Sequence, residues 1–338
     1  MRILVLRALG LGDLLTAVPA LRALRRAFPQ ALLELACPAW LHEPVLAWRL
    51  ADRALDIGPL EPLPAVAEGA DLAVNLHDQG PESTRLLLAS RPGRLLAFRH
   101  AEIPHTAGLP AWRPGEHDAE RWCRLLAESG IPADPERLAL PRPARGPLGR
   151  ATGYTILHSG AGAPARRWPA RRWARLARAE REAGHRVVLT GSASERVRCL
   201  LVARKAALPA EDVLAGRTSV LELAALVARA GLVVCGDTGV AHLATAFGTP
   251  SVVLFGPASP EEWGPPPTRS QHRALWAGLR GDPHSSLPDP GLLRITAEQV
   301  RDEIGALRAT LAARPAVVSR AAPGSRAPRR RSPARANV

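Results

Sequence analysis

The chain has 338 residues, 46% of them apolar and 22% charged, a balance that excludes an intrinsically disordered chain. No stretch approaches about 20 uninterrupted apolar residues, which excludes a spanning helix and leaves peripheral contact as the form any membrane association takes. The formal charge of +14 invites a nucleic-acid reading, but six arginines between Arg320 and Arg335 belong to the last twenty residues, leaving +8 for the body. A moderately basic body suits diphosphates or an anionic membrane surface, and no specific nucleic-acid partner is expected.

The length exceeds what one core usually organises, so two domains and a tail are expected. With one Tyr, four Phe and eight Trp, core volume falls to Leu, Val and Ala, as in buried parallel strands and their covering helices. Cys37, Cys123, Cys199 and Cys235 are widely spaced and read as reduced, buried thiols, neither metal ligands nor a redox pair. The four-residue apolar run Ile3 to Leu6 is too short for a signal-peptide core, so a cytoplasmic protein is expected, with any membrane contact at the inner face.

Ile3 to Arg7 reads as a buried strand, Gly10 and Gly12 as a turn, and Asp13 to Phe28 as an amphipathic helix. Short apolar runs at 31–36, 71–76 and 94–98 alternate with helical patterns such as 117–129, which implies a parallel sheet. Five prolines between Ile131 and Thr152 mark a linker. The alternation restarts with strands at 154–158, 186–190, 232–235 and 251–255, and helices from Pro169, around Glu195, at 219–229 and at 238–247. The expected organisation is an α/β first domain over 1–145, a second over 146–314 and a disordered basic tail over 315–338. The last helix, 297–314, is expected to be able to pack back on the first domain.

Three turns carry possible chemistry. Gly236-Asp237-Thr238-Gly239-Val240-Ala241-His242 joins a buried strand to a helix, where the free N–H groups of residues 238–240 and the helix dipole favour a phosphate. A helix cap and a tight turn would produce the same residues. His158-Ser159-Gly160-Ala161-Gly162 with Arg166-Arg167-Trp168-Pro169 repeats the layout, its arginines suited to diphosphate charge or simply solvated. Gly10-Leu11-Gly12-Asp13 lacks the three-glycine dinucleotide spacing, and Asp13 is either a helix cap or a carboxylate able to deprotonate an acceptor hydroxyl. Glu195 is either an exposed helix charge or a ribose acceptor.

Arg7-Ala8-Leu9-Gly10-Leu11-Gly12-Asp13, followed by Pro19 to Leu24 and Phe28-Pro29, resembles the opening of glycosyltransferase family nine, the lipopolysaccharide heptosyltransferases. The second half resembles it more closely, through His158 to Gly162, Arg167-Trp168-Pro169, Gly191 to Glu195, Gly216 to Ser219, Gly236 to Leu243 and Leu254 to Pro257, all in the family's order. The resemblance covers about residues 1 to 310 and is loose between Cys37 and Arg150. It implies a GT-B fold, two Rossmann-like doubly wound domains facing a cleft, with the acceptor met by the first and a nucleotide-diphosphate-sugar donor held by the second.

By the same resemblance Asp13 matches the catalytic base, Arg167 stands where family members often carry a phosphate-binding lysine, and Glu195 matches a ribose ligand. Asp237, Thr238, Gly239 and His242 match the diphosphate loop, and Thr218 falls near the base pocket. Ser159, Gly160, Arg166 and Val240 join this donor set. The implied reaction is an inverting transfer, heptose from ADP-heptose being the family's donor chemistry, onto a glycan or glycolipid acceptor, with no cofactor and no metal. Another nucleotide sugar with a small-metabolite acceptor is the alternative. A nicotinamide-dependent oxidoreductase is disfavoured by the incomplete glycine fingerprint.

Overall fold

The computed structural model describes residues 1–144 and 146–313; the basic segment read above as a disordered tail lies outside them. Strands β1 (Arg2–Leu6), β2 (Leu32–Cys37), β3 (Arg53–Asp56), β4 (Leu72–Asn75) and β5 (Leu95–Leu96) build one sheet. A second holds β6 (Thr155–His158), β7 (Val187–Thr190), β8 (Leu232–Gly236), β9 (Ser251–Leu254) and β10 (His272–Leu275). All pairings between named strands are parallel. Strands buried on both faces, such as β1 and β8, need helices on each side, and the apolar runs ILVL and LVVC supply that burial.

The helices of the first half are α1 (Leu11–Thr16), α2 (Val18–Ala27), α3 (His42–Ala47), α4 (Glu82–Ala89) and α5 (Asp118–Glu128). Those of the second are α6 (Ala170–Glu182), α7 (Arg196–Ala206), α8 (Val220–Arg229), α9 (Gly239–Phe247), α10 (Pro260–Trp263), α11 (Pro290–Arg294) and α12 (Ala297–Ala312). The single helix expected over 13–28 is two, α1 and α2 parting at Ala17, just before Pro19 enters the first turn of α2. Ser219 and Glu222 exchange hydrogen bonds of 3.2 and 2.8 Å at the start of α8, a reciprocal cap that fixes where the helix begins.

Strand orders are β3-β2-β1-β4-β5 and β10-β9-β8-β6-β7. Each reverses direction once, between β1 and β4 and between β6 and β8, and ligands of doubly wound sheets gather beyond the carboxyl ends of the strands at such points. The inner faces share one apolar cluster, running from Ile3, Val5 and Leu21 to Leu243, Phe247 and Val253. Helices α1 and α9 pack together across the domain boundary.

One expectation changes. Helix α12 does not return to the first domain: it packs on α6, β9 and β10. Val300, Ile304 and Leu307 are buried in the cluster of Leu157, Leu176 and Leu254, and Arg308 Nη2 meets the buried Glu180 carboxylate at 2.6 Å. The proline-rich linker is tied to the second domain, where Leu140 N donates to Ala246 O at 3.1 Å and Arg142 Nη1 to Ala228 O at 2.7 Å. Prolines, which have no N–H to pair, suit such a strap.

Candidate active site

A buried arginine follows strand β1. The Arg7 guanidinium, 1% exposed, donates from Nε to the Asp13 carbonyl at 2.9 Å, from Nη1 to the Leu76 carbonyl, and from Nη2 to Thr16 Oγ1 at 3.1 Å and Asp118 Oδ2 at 2.6 Å. It also stacks over the Trp122 ring, 4.8 Å from its centroid. A buried cation needs such complete pairing. Burial alone would raise the Asp118 carboxyl, but Arg7, the Thr16 hydroxyl and Arg121 together hold it below the ordinary carboxylate range.

Asp13 occupies the first turn of α1. Its Oδ2 accepts from Gly10 N at 3.0 Å, and its Oδ1 lies 3.7 Å from Arg7 Nη2. The side chain keeps 27% exposure and lines a cleft of about 420 Å³. The carboxylate is therefore anchored on one oxygen and open to the cleft on its exposed side.

The opposite wall comes from the end of β8. Asp237 and Thr238 lead into α9, whose first residue, Gly239, would bring a Cβ within 2.9 Å of Leu11 Cβ and 3.1 Å of Gly12 N. A Cβ on Gly12 would in turn stand 3.1 Å from the His242 ring. Only glycines allow the starts of α1 and α9 to meet this closely, and both helices then present N–H groups toward one space. Arg166 lies beside Gly162 and reaches toward the Asp237 carbonyl at 3.4 Å. Burial pushes the Asp237 carboxyl up to about 6, against the pull of Arg166 and with a push from Asp13. Desolvation, then His117, holds the His242 imidazole down to about 4, Asp118 pulling the other way.

A second cluster lies further along the same sheet edge. Glu195 closes a 3-10 turn after β7, and its Oε2 accepts from Ser192 N at 2.8 Å. Its carboxylate covers Gly160 so closely that a Cβ there would fall 2.0 Å from Glu195 Cδ. Gly216 N donates to Gly191 O at 2.9 Å, drawing the loop that carries Thr218 against the Glu195 turn. Since β8, β6 and β7 are neighbours, the Asp237 and Glu195 turns sit two strand spacings apart, about 10 Å.

The sequence model of glycosyltransferase family 9 (heptosyltransferase) matches residues 110–286, more than half of the chain. The chain belongs to glycosyltransferase family 9. It is 28% identical over 358 aligned positions to lipopolysaccharide heptosyltransferase 2 of Escherichia coli, spanning 91% of this chain and 98% of that protein. Among solved structures, E. coli ADP-heptose lipopolysaccharide heptosyltransferase II superimposes with a TM-score of 0.71 at 23% identity, covering 93% of this chain and all of that one. The family 9 glycosyltransferase of Veillonella parvula gives 0.73 at 20% identity, over 91% and 97%. The fold is therefore GT-B, as the resemblance implied, and the protein is a glycosyltransferase.

Within this family 9 glycosyltransferase the cleft gathers Asp13, Arg166, Asp237, Thr238, Gly239 and His242. Gly160, Glu195 and Thr218 belong to the second cluster. Three of the expected donor residues are placed differently. The Ser159 hydroxyl is buried against Cys199 Sγ at 3.5 Å. The Val240 side chain is core, 2% exposed, so only its backbone can face a ligand. Arg167 commits Nε to the Ala161 carbonyl at 2.9 Å, bracing the loop, and Arg166 is the arginine that lines the cleft.

Sequence reasoning missed Arg7 and Asp118 as site residues, and also Trp263, at the end of α10, and His284, in a turn of the second domain, which both line the cleft. A charge directly after a buried strand was a signal for Arg7; nothing local marked the other three. Among the described residues no group of three or more His, Cys, Asp or Glu is arranged to hold a metal, and no helix is long and apolar enough to cross a membrane.

Proposed function

We propose that this enzyme transfers a heptose from ADP-heptose to a lipopolysaccharide-core-type glycan by a metal-independent, inverting single displacement. The observation that carries the reading is the placement of the Asp13 carboxylate opposite the Asp237–His242 helix start across one cleft. The named donor and acceptor of its relatives support the substrate class.

In this reading the nucleoside diphosphate lies along the carboxyl edge of the second sheet. Glu195 accepts hydrogen bonds from the ribose, Thr218 borders the base, and the diphosphate reaches the start of α9 beside Arg166. Gly160 leaves room for Glu195, while Ser159, Arg167 and Val240 shape the two turns from behind. The acceptor hydroxyl attacks the anomeric carbon from the side of Asp13, which takes its proton as the carbon–oxygen bond to the diphosphate breaks. The sugar passes through an oxocarbenium-like state. The charge released onto the diphosphate is met by fixed N–H groups and a guanidinium, dipoles that need no reorganisation. Attack opposite the leaving group inverts the anomeric centre. His242, held neutral at physiological pH, adds hydrogen-bonding capacity without a charge, whereas Asp237, raised only to about 6, is largely ionised there and is balanced by Arg166.

The acceptor's lipid anchor would bring the enzyme to the cytoplasmic face of the membrane as a peripheral protein. The test of the reading is turnover of ADP-heptose on lipopolysaccharide-core acceptors, with and without EDTA, and the anomeric configuration of the product. Turnover unaffected by EDTA with an inverted product is expected. Strict dependence on a divalent ion, retention, or use of another nucleotide sugar alone would overturn the corresponding part.

A further inference from the structure

Helix α7 turns an apolar stripe to solvent. Val197 is 78% exposed and Leu200 and Leu201 are each 39% exposed, and with Arg204 they follow the i, i+3, i+4, i+7 spacing of one helix face. The opposite face, Cys199, Val202, Ala203 and Ala206, is already buried, so packing within the chain does not account for the outer stripe. Single exposed apolar side chains are ordinary, but three adjacent ones on one helix face form a contiguous patch of the kind that marks interaction sites.

The charge around the stripe says what it fits. Arg178 Nη2 donates to the Lys205 carbonyl at 2.6 Å and Arg181 Nη1 to the Ala206 carbonyl at 3.4 Å, gathering both guanidinia at the C-terminal end of α7 beside Arg204 and Lys205. None of these four cations forms a salt bridge among the described residues, whereas Arg175 on the same face of α6 pairs with Glu298. Helix α7 contains no acid, and α6 has only Glu180, buried and paired with Arg308, and the exposed Glu182. Exposed leucines rimmed by Arg and Lys without carboxylate partners complement a surface with an apolar interior and anionic headgroups.

We propose that the outer face of α7, with Arg178 and Arg181 of α6, docks on an anionic lipid bilayer. Val197, Leu200 and Leu201 enter the headgroup–acyl boundary, and the four cations lie among the lipid phosphates. Helix α7 starts one residue after Glu195, so docking here holds the donor end of the cleft next to the bilayer from which a lipid-anchored acceptor is drawn. This rests on the membrane-facing part of the function proposed above.

The test is flotation of the full chain with vesicles of phosphatidylcholine alone or containing phosphatidylglycerol. The wild-type chain is expected to float only with the anionic vesicles. The triple variant Val197→Ser, Leu200→Ser, Leu201→Ser is expected to stay in the dense fraction. At about 1 kcal/mol per surface cation, Arg204→Gln with Lys205→Gln should weaken partitioning about 20- to 30-fold. An ADP-induced thermal shift equal to wild type establishes that each variant is folded with its donor site intact. Equal flotation of wild type and triple variant overturns this surface and leaves the membrane reading, pointing to another segment. No flotation of the wild type overturns both, while the transferase reading is judged by turnover. A wild-type dimer that the triple variant converts to monomer, with no lipid binding, identifies the stripe as a self-interface and also overturns the proposal.

Discussion

The Arg7 guanidinium and the Asp118 carboxylate meet at 2.6 Å with their side chains 1% and 3% exposed, joining the end of β1 to the start of α5. Through Arg7 Nε and the Thr16 hydroxyl, both bonded to the Asp13 carbonyl at 2.9 and 3.0 Å, this pair sets the turn that carries the cleft carboxylate. Removing one member strands the other charge in the interior. Arg7→Met is expected to cost about 3–5 kcal/mol, and Arg7→Met with Asp118→Leu less than the sum of the single changes. Urea unfolding of the four proteins measures this; strict additivity would mean the two charges act independently.

Acid stability follows from desolvated histidines. His242 and His272 are held at about 4 in the fold, by desolvation first, while an unfolded chain protonates them near the ordinary value of about 6.5. Depressed folded values contribute stability that is complete above the unfolded value and is lost as pH falls toward 4. Asp237, raised to about 6, acts in the opposite sense: its contribution is complete below the unfolded value and is lost as pH rises through 6. Unfolding free energy should therefore fall between pH 6.5 and 4.5, and more steeply in Asp237→Asn, which lacks the opposing proton. A variant with the same or a shallower slope would contradict the assignment.

Asp13→Asn keeps an acceptor for Gly10 N but cannot take a proton. Loss of a general base costs about 10²- to 10⁴-fold in turnover, so kcat should fall within that range while ADP binding by calorimetry stays near wild type. Retained kcat would remove Asp13 from the proton transfer.

Gly160→Ala would place a methyl group 2.0 Å from Glu195 Cδ, and the carboxylate must leave. A hydrogen bond to a charged group is worth about 1.5–3 kcal/mol, so nucleotide affinity should drop about 10- to 100-fold, with Glu195→Gln showing a smaller loss. Unchanged affinity in Gly160→Ala would place the ribose elsewhere.

Gly239→Ala tests the contact between domains. A Cβ 2.9 Å from Leu11 and 3.1 Å from the Gly12 backbone forces the starts of α1 and α9 apart. The expected result is a lower kcat with a smaller change in nucleotide affinity, because the donor walls stay in one domain while the distance to Asp13 grows. Equal kcat with wild type would show that the close approach is not needed for turnover.

Much of the architecture was legible because parallel strands buried on both faces are uniform apolar runs, and the helix starts carry caps and glycines. Strands β3 and β10 were not. Both lie at sheet edges, where solvent-facing charged residues such as Arg53 and Arg273 break the apolar run. The site divides in the same way. The turns at Asp13, Gly160 and Asp237 were visible because a strand–glycine–helix junction is local. Which of Arg166 and Arg167 faces the cleft was not, since adjacent residues on a turn point in different directions and the choice depends on what packs behind each. Helix α12 shows the limit from another side: its apolar pattern promised burial without naming the partner, and the Glu180–Arg308 pair chose the second domain.

By itself the sequence determined the two α/β halves, the phosphate-suited turns and the family, because these rest on periodicity and short-range chemistry. Only the tertiary structure decided that Asp13 and Asp237 share one cleft, that Arg7 is neutralised by a residue 111 positions away, and that α7 leaves an apolar stripe uncovered. Those relationships depend on which helix faces pack and how closely backbones approach, quantities summed over distant parts of the chain that no local pattern records.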